Sequence, residues 1–383
     1  MTAMATGATG TATGTAAGTA TEAAPGTVAG ARKGGTLPGA GTGPAGQAAS
    51  GAAAADAALA ANRAAARDSL RGLALGDAFG ECWYPIFELG GSAYEEIRAR
   101  SVPVTRVWHW TDDTAMALSV LRVLDGQGEI DQQRLARAFG KAFMAEPGRG
   151  YGAGMHDLLP RLAGAPAAWE TDTPALAQGQ GSRDSGAAMR VAPLGAWFSD
   201  DVARAAEQAA LSARVTHTHP DGVAGAVAVA VAAALAVRLR RITVPRPAEL
   251  LRMIAARTPR SAVKEGLLHA AELPEDAGPR QAAEALGNGT RGRADDTVPY
   301  ALWCAAHHLR DLPEALWATV EGQGRADTTC AIAGGVVAAR VGLGGVPPAW
   351  LTRCEPLPDW VGANPPTTDP PPPSRPHPRR SRG

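Results

Sequence analysis

The chain has 383 residues, 45% hydrophobic, 19% charged and 5% aromatic, and its 37 basic and 37 acidic side chains cancel to a formal net charge of zero. That balance excludes a strong general attraction to nucleic acid or to an anionic membrane surface. Four cysteines (Cys82, Cys304, Cys330, Cys354) lie far apart and form no CxxC pair, which argues against a zinc ribbon, a thioredoxin-type site and a disulfide scaffold. Reduced thiols and a cytoplasmic location are the expectation.

Residues 1–60 are built from Ala, Gly and Thr with almost no large apolar side chain. Such a segment buries too little surface to offset its ordering entropy, so a disordered tail is expected. It has no Lys or Arg before Arg32 and no Leu-rich stretch, and does not read as a secretory signal. Between 61 and 345 the texture changes. Apolar residues recur at three- and four-residue spacing, as in Ala115, Met116, Leu118, Leu121 and Leu124, and again across Val202 to Ala213, Leu250 to Ala256 and Ala301 to Leu309. This is the helical period. Thr111, Asp200, Asp221 and Asp327 are candidate caps. Sustained apolar–polar alternation is lacking, so the segment predicts a single all-α domain of about 285 residues, near the upper limit for one core. The uncharged run Gly222 to Val237, about 16 residues, is short of the ~20 a membrane span needs and reads as a buried core helix. Gly/Pro-rich breaks at 146–154, 179–186 and 287–292 predict loops on this helical frame, where chemistry usually sits. Residues 346–383 form a second expected tail. It is Pro-rich from Leu357, runs through Pro370 to Pro373, and ends with Arg375, Arg379, Arg380 and Arg382; polyproline II is its expected local form.

The densest polar cluster in an apolar setting is Trp110-Thr111-Asp112-Asp113-Thr114. Two carboxylates and a hydroxyl at a helix start suit a hard divalent cation. They equally suit an N-cap followed by acidic first-turn residues. Asp327-Thr328-Thr329 repeats the pattern after a Gly-rich turn and leads into the small-residue stretch Cys330 to Gly335, which allows close helix approach. Two such helix starts can meet at one metal centre. Asp295-Asp296-Thr297 is a third, read as a substrate-side loop or simply another helix start. Gly150-Tyr151-Gly152 and Asp184 to Arg190 resemble loops opening helices, where free backbone N–H groups can hold phosphate oxygens. His217 and His219 stand two apart and do not share a helix face, which disfavours a two-His metal site.

In this order, the pieces resemble the ADP-ribosylglycohydrolase family, the group that includes dinitrogenase reductase-activating glycohydrolase. They are Gly72 to Glu81, Trp110 to Thr114, Gly150-Tyr151-Gly152, Gly186 to Pro193, Thr216-His217 and Ala326 to Ile332, spread from about Arg67 to Gly344. The resemblance implies an all-α orthogonal helical bundle and a binuclear Mg²⁺ or Mn²⁺ centre. The reaction it implies is hydrolysis of the glycosidic bond between ADP-ribose and a protein side chain or small acceptor. Carried over motif by motif, Thr111, Asp112, Asp113, Asp327 and Thr328 would be metal ligands. Gly150, Tyr151, Gly152, Ser185, Gly186, Met189 and His217 would line the ADP-ribose cleft. Asp112 and Asp113 would be catalytic, with Glu81 in the segment where the family carries a functional Glu. A monomer is the simplest expectation.

Two positions depart from that pattern. The family reads Gly-Asp-x-Asp-Thr at the second cluster, and here Arg325 stands at the first Asp. A guanidinium does not deprotonate. At about 4 Å and an effective dielectric of 20 it opposes a divalent ion by ~8 kcal/mol before screening. The family's Gly-Asn-Gly loop is Asp184-Ser185-Gly186 here. These changes support an alternative expectation, a weakened or inactive relative that has lost one of the two metal sites and binds ADP-ribose or a related nucleotide without efficient turnover.

Overall fold

The helical period is realised along the whole chain that can be described. The structure is a computed structural model; it describes residues 44–84, 92–102 and 107–362, with the backbone alone for 44–56. Sixteen α-helices follow one another: α1 (Pro44–Glu81), α2 (Ser92–Arg98), α3 (Asp112–Gln127), α4 (Gln132–Ala145), α5 (Ala153–Gly164), α6 (Trp169–Gly179), α7 (Ala192–Trp197) and α8 (Val202–Arg214), then α9 (Pro220–Arg238), α10 (Pro247–Arg257), α11 (Ala262–Ala270), α12 (Pro279–Leu286), α13 (Ala294–His307), α14 (Leu312–Glu321), α15 (Ala326–Val341) and α16 (Pro348–Arg353). Among the described residues there is no β-strand, only the isolated bridges Trp108–Cys354 and Asp184–Arg293. The all-α expectation holds. Among the described residues, those from Ala52 onward form one compact unit.

Two long helices are buried along nearly their whole length. α9 is the uncharged Ala/Val run, touched by α7, α8, α10, α11, α13 and α15. By length and composition it is apolar enough to cross a membrane, but 89% of its apolar window is buried inside the protein, and it is the core helix the sequence predicts. α15 is the second buried helix. Its small residues meet a glycine stripe on α1 at Gly72, Gly76 and Gly80. A Cβ on Gly76 would sit 2.1 Å from the Cys330 carbonyl oxygen, and one on Gly80 2.1 Å from the Ala326 carbonyl oxygen. A Cβ on Gly72 would sit 2.0 Å from the Ala338 Cβ. The helices therefore run antiparallel at backbone contact, and only glycine fits between them. The end of α1 is thereby set against the start of α15.

The expected domain limits need correction. α1 starts at Pro44, so residues 44–60, assigned to the tail from composition, are helical. Alanine, which dominates there, has the highest intrinsic helix propensity. Residues 1–43 and 363–383, the rest of the expected tails, lie outside the described residues. The limit at 345 is also too early. Trp350 on α16 stacks on Phe79 with centroids 5.0 Å apart and meets Trp108 and Trp317 edge-on, and Val361 is buried. The Pro-rich composition that follows concealed these anchors.

Caps shift by one or two residues from the expected positions. Thr111 caps α3 as read, but Asp201, not Asp200, caps α8. His219 caps α9 because Pro220 takes the first helical position, leaving Asp221 in the first turn. Arg325 occupies the cap position of α15, with Asp327 in the first turn.

Gly76→Val tests the α1–α15 contact. The added side chain must push two backbones apart, so a cost of about 3 kcal/mol or more is expected, at the upper end of overpacking penalties. Gly126→Ala, with nothing within 4 Å of the new Cβ, serves as the comparison in the same thermal melt. Equal melting temperatures for the two variants would refute the contact.

Candidate active site

Close approach of α1 and α15 brings the end of α1, the start of α3 and the start of α15 into one buried acidic cluster. Asp77 is fully buried and accepts four hydrogen bonds. They come from the Thr111 N–H and hydroxyl, each at 2.8 Å, and from the Thr114 N–H at 3.1 Å and hydroxyl at 2.6 Å. Both helix-start threonines are thus locked by one carboxylate. Burial pushes the Asp77 carboxyl up to about 8, against the pull of those hydrogen bonds. Asp77 lies within the Gly72 to Glu81 segment and is not among the expected site residues. The available signal was a carboxylate placed between Gly76 and Ala78 in an apolar helix, an expensive position unless something holds it.

Asp112 and Asp113 follow in the first turn of α3. Burial holds both well above the usual carboxylate range; Asp113 and Asp327 add to this at Asp112, and Asp77 and Asp327 at Asp113. Asp113 is 1% exposed and its Oδ1 has no hydrogen-bond partner. Asp327 is raised by burial, partly offset by Arg325 and by the Thr328 N–H, which donates to it at 2.7 Å. Arg325 projects among these acids, its Nε 3.9 Å from Asp327 Oδ1 and its guanidinium 5.9 Å from the Tyr84 ring centre. Burial works against its charge, but Asp327, Asp113, Tyr84 and Asp112 outweigh that and raise its pKa.

A cavity of about 390 Å³ opens beside the cluster. Asp112, Asp113 and Thr328 form one wall with Arg325; Gly152 to Met155 open α5 at another; Ser185, Gly186, Met189 and His217 line a third; and Arg183, Arg291 and Gly292 complete it. Of the expected site residues, Asp112, Asp113, Thr328, Gly152, Ser185, Gly186, Met189 and His217 therefore meet at one cavity. Thr111 and Asp327 are buried but are not among its lining residues, and Thr111 spends its hydroxyl on Asp77. Gly150 has φ +94° and lies beside Asp112, whose N–H donates to the Arg149 carbonyl at 2.9 Å. Tyr151 does not line the cavity; its ring packs on Phe143 at 5.0 Å because the turn directs it into the α4–α5 contact. Glu81, expected to be catalytic, is half-buried at the end of α1 and is likewise not among the lining residues.

The loop carrying Gly150 is held from the C-terminal side. Arg149 pairs with Glu355 at 2.7 Å and Glu146 at 2.5 Å, donates to the Trp110 carbonyl at 2.9 Å, and lies 3.4 Å from the Trp110 ring centre. The two remaining rim arginines, missed in the sequence, are anchored by the third acidic helix start. Arg291 pairs with Asp296 at 2.9 Å; Arg183 pairs with Asp221 at 3.1 Å and Asp295 at 3.5 Å. Ser185 donates its N–H and its hydroxyl to the Gly292 carbonyl, fixing the 180s loop to the 290s loop. Asp184 is exposed at the rim, where solvent screens its charge.

The hydrogen bonds around His217 favour one tautomer. Buried Arg190 donates to Thr216 Oγ1 at 2.9 Å, which leaves that hydroxyl to donate to His217 Nδ1 at 2.7 Å. The proton on the ring is then at Nε2, which faces Gly186: a Cβ there would lie 3.1 Å from it. Burial and Arg190 push the His217 pKa down to about 3, so the ring is a neutral donor at physiological pH.

The carboxylates and hydroxyls at the α3 and α15 starts are oxygen donors suited to a hard divalent ion, and the unpartnered Asp113 oxygen is a group such an ion would satisfy. Among the described residues no three acidic, imidazole or thiol side chains meet closely enough to form a ready cage.

A family model for ADP-ribosylglycohydrolase matches residues 58–365. The chain belongs to the ADP-ribosylglycohydrolase family. Relatives include the ADP-ribosylhydrolase ARH3 of Homo sapiens, 28% identical over 282 residues that cover 66% of this chain and 76% of that protein. An uncharacterized protein of Archaeoglobus fulgidus is 30% identical over 246 residues, 63% of this chain and 74% of that one. A solved structure described as an ADP-ribosylglycohydrolase-related protein complex shares the fold, with a TM-score of 0.54 at 23% identity, covering 77% of this chain and 94% of that one.

The tautomer gives a direct test in this family member. Nitrogen NMR of the His217 ring is expected to show the neutral Nε2–H form unchanged from pH 8 to pH 5. A titration centred near the ordinary histidine value of about 6.5 would refute the donor chain.

Proposed function

We propose that this ADP-ribosylglycohydrolase-family protein is a metal-dependent hydrolase. It cleaves the glycosidic bond between ADP-ribose and a protein side chain or other small acceptor, and so reverses ADP-ribosylation. The observation that carries this reading is the cavity with two unlike poles. One is made of the buried acids Asp112 and Asp113 at the start of α3 with Thr328 of α15 beside them, the other of Arg183 and Arg291 on loops. Its volume lies within the range of small-ligand sites. Relatives described as ADP-ribosylhydrolases support the same reading.

Each pole has work to do on such a substrate. Arg183 and Arg291 present planar donors to a diphosphate, and their carboxylate partners hold them in place. Gly152 and Gly186 keep the wall low enough for close approach, and the His217 Nε2–H donates to an acceptor oxygen of the ligand. Glycosidic cleavage builds positive charge on the ribose in an oxocarbenium-like transition state. Asp112 and Asp113 face that charge and can take the proton of the attacking water. Asp112, Asp113, Asp327 and Thr328 would hold a Mg²⁺ or Mn²⁺ ion, with Thr111 behind them; when bound, it would supply Lewis acidity and lower the pKa of a water. The proposal includes a cytoplasmic, monomeric protein acting on ADP-ribosylated protein or a small ADP-ribose conjugate. Arg325 among the acids favours the second reading, a family member that binds ADP-ribose without turning it over.

Release of ADP-ribose from a modified protein, measured with Mn²⁺ present, separates the two. The hydrolase reading expects release that falls by about 10²–10⁴ in Asp113→Asn. Tight ADP-ribose binding with no release would leave the binding-only reading. The acid cluster also sets a pH trend for the ion-free protein. Asp77, Asp112 and Asp113 have raised pKa values when folded, so above pH ~4 the unfolded chain binds fewer protons than the native one and stability falls as pH rises. For Asp77 the window runs from its ordinary value of 3.8 to about 8. Melting temperatures from pH 5 to pH 8 are expected to decline without metal and to flatten with Mn²⁺; a flat ion-free profile would contradict the assignment.

A further inference from the structure

We propose that Arg325 is a built-in cation that takes the place of one divalent ion, so that the centre binds one ion where an all-acid cluster would bind two. This rests on the divalent-ion reading of the acid cluster given above. Asp77 is already satisfied by the Thr111 and Thr114 donors. Asp112, Asp113 and Asp327 lack such a set of four donors, and Arg325 is held among them. Its backbone caps α15, its carbonyl accepts the Thr329 hydroxyl at 3.0 Å, and its N–H donates to the Asn288 carbonyl at 3.0 Å. The guanidinium reaches the Gly292 wall, where a Cβ would lie 3.6 Å from NH1. Its Nε is buried without a hydrogen-bond partner, 3.9 Å from Asp327 Oδ1, while the side chain as a whole is 32% exposed.

Charge balance then limits the ion count. When an ion displaces the protons of Asp112, Asp113 and Asp327, three carboxylates against the Arg325 guanidinium leave two negative charges, which one divalent ion neutralises. A second divalent ion would leave the buried pocket with two excess positive charges and no donor to offset them. The unpartnered Asp113 Oδ1, on the cavity wall, is the oxygen left for the ion that does bind. Arg325 acts on the ion and on the cluster's charge, and is assigned as a positioning residue.

The test is to count Mn²⁺ alone, by calorimetry and by metal content after desalting, on the full chain and on Arg325→Lys, Arg325→Asp and Arg325→Ser. The expected counts are one ion for the wild type and for Arg325→Lys, which keeps the charge, and two for Arg325→Asp. Arg325→Ser, neutral with an oxygen donor, is expected to gain the second ion with at least tenfold weaker affinity than Arg325→Asp, and guards against a failure of the Asp variant to fold. Two ions on the wild type would overturn the proposal, as would equal nonzero counts in all folded variants. No ion on any of them would sink the divalent-ion reading itself, and this proposal with it. ADP-ribose titrated separately into the Mn²⁺-loaded wild type distinguishes a failure of the ligand reading: no binding there, with the counts as expected, would remove the hydrolase assignment and leave the role of Arg325 standing.

Discussion

The candidate site depends on two helix backbones touching. Gly72, Gly76 and Gly80 on α1 lie against Ala326, Cys330, Gly334 and Ala338 on α15 with no room for a side chain. That contact places Asp77, one residue after Gly76, beside the threonines that open α3. It also brings the first turn of α15, with Asp327 and Thr328, to the same spot. A carboxylate buried without partners is too costly to keep. Here the helix packing and the acid cluster support each other: the glycines allow the approach, and the Asp77 hydrogen bonds to Thr111 and Thr114 fix the register of α3 against α1.

The electrostatic arrangement follows from where each charge is anchored. Acids sit on buried helix starts, held by backbone geometry. The rim arginines stand on loops, and each is tied to an acidic partner that leaves part of the guanidinium facing the cavity. A neutral chain can therefore carry an anion-facing wall and a cation-facing wall a few residues apart, which zero net charge alone would conceal. Arg190, fully buried over Phe139, serves a different purpose: it orients Thr216 and through it the His217 ring.

Much of this was legible in the sequence, for identifiable reasons. Thr111, Asp112 and Asp113 announce themselves as a polar cluster in apolar surroundings at the start of a periodic stretch, and the structure puts them at the start of α3. The small-residue stretch from Cys330 to Gly335 signals close packing, and its partner on α1 has glycines at four-residue spacing. What was hidden is what depends on long-range pairing. Asp77 reads as one charge in an apolar helix until its four donors, some 34 to 37 residues away, are placed around it. Arg183 and Arg291 look like ordinary surface arginines, because only the fold brings their loops together. Tyr151 illustrates the reverse: its flanking glycines suggest a ligand loop, but the turn sends the ring into the α4–α5 packing. The limits at 60 and 345 came from composition, which reports average burial and so shows neither the helical backbone from Pro44 nor Trp350 in its aromatic cluster.

The last described segment has a bearing on how the protein is made. Trp108 pairs through its backbone with Cys354, Trp350 completes the ring cluster around Phe79, and Glu355 holds Arg149 in the loop that faces Asp112. Residues near 110 and 150 therefore wait for residues near 350 before their geometry is set. A chain that stops short of Trp350 carries both acidic helix starts but no brace for the loop at Gly150. The cleft is thus a late product of translation, and premature termination shortly before Trp350 would cost the site its support even though every cavity-lining residue had already been made.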